Sequence, residues 1–250
     1  MYINDVNILY YCLAAIIGLI IGVFINWCNI RLPENKKIFS KDILDKQKQP
    51  KANYILIIIM ALLYVALLYF CGIHNTFFEN LNLIKFAILI PMLLSAFIID
   101  YKLQIIPNRL NLTMFEIGLI LTFLYGIVNI NIAKEMLLGM VVGAGIFLLI
   151  TLIGGLIAGK EAMGFGDVKL MGALGLYFGL YGIIIISLIA FLLGAVISII
   201  LLATAIKKSN EYIPFGPFIV VAAIIAIFIP FDVLVTILLQ VFTLGMYGKI

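Results

Sequence analysis

Apolar runs of about 20 residues, repeated along the chain, constrain its fold most, since a helix needs about that length to cross roughly 30 Å of hydrocarbon. Segments 55–68 and 183–205 are apolar on every face and lack the alternation of a transmembrane barrel. Composition agrees: 65% of the 250 residues are hydrophobic, 11% are charged, and the mean hydropathy is +1.26. The expected fold is all-α, a polytopic transmembrane helix bundle of about eight spans forming a single domain over 1–250.

The spans are expected at 8–26, 53–72, 83–99, 112–128, 136–157, 170–184, 185–206 and 218–244. The first lacks a basic segment before it and a small-residue cleavage site after it, so it reads as a span and not as a signal peptide. The stretch 170–206 is too long for one helix and suits two short ones joined near Gly179 and Gly182. That division also keeps Lys169 on the same side as Lys207 and Lys208.

Orientation follows from basic residues. Arg31, Lys36, Lys37, Lys41, Lys46, Lys48 and Lys51 crowd the first connection, so it is expected in the cytoplasm, and alternation brings Lys102, Arg109, Lys160 and Lys169 to the same side. The net charge of +4 therefore reflects topology and attraction to membrane lipid; no nucleic acid is expected as a partner. Cys12, Cys28 and Cys71 form no CxxC pair and His74 is the sole histidine, so no metal site is expected. Three GxxxG pairs, Gly18/Gly22, Gly139/Gly143 and Gly175/Gly179, read as close helix packing.

Acidic chemistry remains. Asp100 ends the third span and Asp167 opens the sixth, both on the expected cytoplasmic side. Two carboxyls held together in a poorly solvated place share one proton, which supplies a base and an acid at once. Such a pair splits a peptide without metal or cofactor: one member takes a proton from the attacking water, and the other hydrogen-bonds the scissile carbonyl. Gly164 and Gly166 flank Phe165 just before Asp167, where they permit unusual backbone angles and close approach of a substrate chain. Pro107 is expected to break the helix after Asp100. The alternative at both positions is an ordinary helix-end charge, paired with Lys102 or Lys169. Glu116, in the fourth span, reads as an acid inside the bundle paired with a polar group, the alternative being that it binds a free or basic end of a substrate.

These residues resemble the type IV prepilin peptidases, membrane aspartic proteases with a GxGD motif. Gly164-Phe165-Gly166-Asp167-Val168-Lys169-Leu170 is similar to that motif and its continuation. Asp100 followed by Ile106-Pro107-Asn108 is similar to the family's first aspartate region. Segment 22–33, from Gly22 through Asn26 to Arg31-Leu32-Pro33, and the turn Pro214-Phe215-Gly216-Pro217 agree as well. The resemblance implies catalytic Asp100 and Asp167, with Gly164, Gly166, Lys169, Pro107, Asn108, Pro214, Gly216 and Pro217 shaping the site or binding substrate. It implies a membrane endopeptidase that removes the short basic leader of prepilins or pilin-like precursors at the cytoplasmic face of a bacterial cell membrane. Many members carry two CxxC pairs in the first connection and also methylate the new N-terminus. Here the connection 28–52 is short, basic and free of cysteine after Cys28, so zinc is not expected. No glycine-rich nucleotide-binding loop is visible, so S-adenosylmethionine enters only if the second activity is retained. The rival class is a proton- or cation-coupled transporter using the same two aspartates, but its acids would sit near the midplane between repeats.

Overall fold

A computed structural model describes residues 2–4, 6–38, 53–74, 76–158, 163–204 and 213–243. The basic residues expected at 41–51, 160 and 207–208 lie outside them. After a short antiparallel pairing of β1 (Tyr2–Ile3) and β2 (Val6–Asn7), every described element is a helix. These are α1 (Ile8–Arg31), α2 (Tyr54–Cys71), α3 (Leu81–Leu103), α4 (Asn108–Val128), α5 (Ile130–Ala158), α6 (Phe165–Ala203), α7 (Gly216–Phe228) and α8 (Phe231–Phe242). Among the described residues, α1 to α6 are long and apolar enough to cross a membrane. The chain divides into two units, Met1–Ile117 and Gly118–Ile250, with α4 running from one into the other.

In the first unit, Asn7 and Asn53 cap α1 and α2 by accepting the N–H groups of Leu9 and Leu56 at 3.1 and 3.3 Å. The two helices pack antiparallel through the first GxxxG pair. A Cβ on Gly18 would lie 2.6 Å from the Cα of Ala61, and one on Gly22 would lie 2.9 Å from the Cα of Ile57. The Tyr64 hydroxyl, on α2, donates to the Ala87 carbonyl of α3 at 2.5 Å.

In the second unit α5 packs on α6 through the other two GxxxG pairs. A Cβ on Gly139 would meet the backbone of Gly175 and Gly179, and one on Gly175 would lie 2.2 Å from the Gly139 carbonyl. At Gly179 the backbone takes φ 69° and ψ −174°, and α6 reverses. The proof is at Gly143, where a Cβ would lie 2.6 Å from the Met171 carbonyl and 2.8 Å from Ile183 Cγ1. On one straight helix those two residues would stand about 18 Å apart. Segments 165–178 and 180–203 are thus two legs of a hairpin, as the sequence suggests. The last expected span is different: Pro230 divides 218–244 into α7 and α8. It has no N–H to donate and holds Ile229 extended at φ −104°, ψ 127°. Helix α8 then buries only Leu234 and Leu238, packed against Ile185 of the second α6 leg.

Candidate active site

Asp100 lies in the last turn of α3 and is 4% exposed; Asp167 lies in the first turn of α6 and is 3% exposed. Among the described residues they are the two charged side chains that are buried. An ionised group rarely stays buried without a partner or a task. The buried hydroxyls of Thr122, Thr151 and Ser187 each donate to a carbonyl one turn back on their own helix, which is local satisfaction.

Around Asp100 the sequence expectation needs correction. Helix α3 continues to Leu103 and is ended by Gln104 in the left-handed conformation (φ 56°, ψ 34°), whose N–H donates to the Asp100 carbonyl at 2.8 Å. Pro107 does not break this helix. It is buried and opens the next one, its carbonyl accepting from Leu110 and Asn111 at 3.0 and 3.2 Å, with Asn108 exposed at the head of α4.

Around Asp167, Gly164 is the N-cap and its carbonyl accepts the Asp167 N–H at 3.0 Å. Gly164 holds ordinary extended angles (φ −68°, ψ 139°) and Gly166 is helical, so neither uses the backbone freedom expected of it. What remains is the lack of a side chain on either side of Phe165, which is itself exposed. Lys169 is exposed. Pro214, Gly216 and Pro217 are buried at the head of α7. Between them the Phe215 ring packs on Phe147, Phe191 and Phe218, with centroids 5.9, 5.2 and 5.8 Å away. Since Gly143 faces Met171 on the antiparallel first leg, Phe147 stands level with Asp167. The Pro214–Pro217 turn and the Gly164–Asp167 turn therefore occupy the same end of the second unit. Asp100 belongs to the first unit and Asp167 to the second.

Glu116 is not inside the bundle. It is exposed in an apolar stripe of α4 with Leu112, Ile120 and Phe123, one and two turns away. Sequence reasoning passed over how the first connection is anchored. Arg31 lies 4.4 Å over the Trp27 ring, the Trp27 indole donates to the Ile38 carbonyl at 3.0 Å, and Arg109 donates to the Lys36 carbonyl at 2.8 Å. Arg31 and Arg109 read only as topology signals, because partners far apart in sequence leave no periodic trace.

Fold and site together define a helical membrane protein with a buried aspartate in each of two units. Residues 87–199, which enclose both, match the type IV leader peptidase family. That match bears out the resemblance read from the sequence; residues 22–33 and the Pro214–Pro217 turn fall outside it. A prepilin leader peptidase/N-methyltransferase of Legionella pneumophila is 35% identical over 144 residues, 57% of this chain and 49% of the relative. One of Xanthomonas campestris pv. campestris is 36% identical over 131 residues, covering 52% and 44%. One of Pseudomonas aeruginosa is 32% identical over 135 residues, covering 54% and 46%. The chain spans about half the length of the curated relatives it matches. No solved structure matches it.

Proposed function

We propose that this chain is a membrane-embedded aspartic endopeptidase that removes the short leader of prepilins or pilin-like precursors, with Asp100 and Asp167 as its catalytic pair. The observation that carries this reading is that the two charged side chains buried among the described residues fall inside the segment matching the leader peptidase family. In the reaction the two carboxyls act on one water. The ionised member takes a proton from that water as its oxygen adds to the scissile carbonyl, while the protonated member hydrogen-bonds the carbonyl oxygen. The proton taken from water then passes to the departing amine, leaving a carboxylate on the leader and a free N-terminus on the mature chain. Gly164 and Gly166 leave room for an extended peptide, and the Pro214–Pro217 turn supports the same end of the second unit. The methyl transfer in the relatives' names is not part of the proposal.

An acid pair needs no metal to activate water, and the first connection offers no cysteine beyond Cys28. Cleavage of a precursor by the purified protein is expected to be unchanged by EDTA and to have both an acid and a basic limb in its pH profile. Stoichiometric zinc whose removal stops cleavage would sink the two-aspartate mechanism. The positive-inside rule supports a cytoplasmic side for the Asp100 and Asp167 ends. In a cysteine-free background, Thr204→Cys is therefore expected to react with an impermeant thiol reagent from inside and Tyr181→Cys from outside. Labelling of both from one face would reverse the assignment of the α6 hairpin.

A further inference from the structure

An apolar groove of about 730 Å³ runs along the first unit between α1, α2 and α3. It begins at Tyr10 and Leu13, passes Ile17 and Ile21, and ends at Leu32, Ile38 and Leu110, the last on α4. Tyr10, Leu13, Ile17 and Phe24 are 41–51% exposed on its open side. From Tyr10 to Leu32 the groove is about 33 Å long at the helical rise, which matches the roughly 30 Å hydrocarbon thickness. Its mean cross-section is then roughly 22 Å². A section that narrow, open along one side and lined by apolar residues, suits a hydrocarbon chain lying along it. Its lining is almost wholly apolar, and the Tyr64 and Thr113 hydroxyls are already donated to the Ala87 and Arg109 carbonyls.

The mouth at Leu32, Ile38 and Leu110 carries charge. Arg31, Lys36, Lys37 and Arg109 stand on the residues around it, against Glu34, which pairs with Lys36 at 2.7 Å. The Arg109 bond to the Lys36 carbonyl draws the loop onto the head of α4 and so gathers these cations at one end. We infer that the groove binds an anionic phospholipid, with acyl chain along α1 and α3 and phosphate at the cationic mouth. The acyl chain supplies the apolar contacts that the groove lacks, and the phosphate offsets the excess of positive charge on this segment. Asp100 is not among the groove's lining residues, and the inference does not depend on the chemistry of the aspartates.

The test is native mass spectrometry of the full chain released from nanodiscs of equal phosphatidylglycerol and phosphatidylcholine. One lipid, predominantly phosphatidylglycerol, is expected to survive activation that strips the rest. Ala14→Trp, which fills the groove, is expected to lower that retention at least tenfold. The double variant Lys36→Gln, Lys37→Gln keeps the Arg109 bond to the backbone carbonyl of residue 36, so it leaves the groove intact and is expected to keep one lipid but weaken the headgroup preference. Equal retention in Ala14→Trp, no headgroup preference in the native chain, an unchanged preference in the double variant, or a peptide in place of lipid would each overturn the site.

Discussion

Asp167→Asn and Asp100→Asn each abolish trimming of a co-expressed precursor, by a factor of at least about 10³, while the protein still accumulates in the membrane. The magnitude follows from the mechanism: an amide can neither accept the water proton nor donate a carboxylic proton, and members of one catalytic unit do not substitute for each other. Burial sharpens the expectation, because at 3–4% exposure bulk water cannot stand in for the missing group. Asparagine is close to aspartate in shape, so the fold should survive and the loss should read as chemistry. The measurement is intact mass of the precursor after induction, beside an immunoblot of the membrane fraction. Full processing by either variant would remove that residue from the pair.

Gly175→Ala lowers thermal stability in detergent, whereas Gly145→Ala does not. Both replace a helical glycine, so both gain up to about 1 kcal/mol of helix propensity. At Gly145 nothing lies within 4 Å of the added carbon, and the gain stands. At Gly175 the carbon would sit 2.2 Å from the Gly139 carbonyl, and backbone cannot move aside as a flexible side chain can. Overpacking costs about 1–3 kcal/mol even where side chains can adjust, so the clash outweighs the propensity and α5 is pushed off α6. Unfolding midpoints in the same detergent decide it. A Gly175→Ala midpoint equal to or above that of Gly145→Ala would mean that the α5 and α6 backbones are not in contact there.

Spans and packing were the most legible part of the chain, because lipid requires continuous apolar helices and close backbones require glycine. Both the GxxxG reading and the division of α6 at Gly179 followed from those two facts. Helix ends were less legible. Gln104 ends α3 through a left-handed residue that composition does not announce, so the stop was assigned to Pro107, the more conspicuous residue. The break at Pro230 was overlooked since apolar residues continue on both sides of it. At the site, Asp100 and Asp167 stood out as acids at the edges of apolar runs, but the backbone role given to Gly164 and Gly166 was wrong. Glycine tolerates unusual angles without requiring them. Glu116 was assigned to the interior by cost alone, and only the helix phase set by Leu112, Ile120 and Phe123 shows that it faces outward.

Whether Asp100 and Asp167 act as one pair is tested most directly by joining them. In a background free of Cys12, Cys28 and Cys71, the double variant Asp100→Cys, Asp167→Cys is treated with a short bifunctional thiol reagent, and the intact mass is read. A single intramolecular cross-link within one chain is the predicted result. Failure of the two to join, while each single variant reacts with the monofunctional form of the same reagent, would contradict the account.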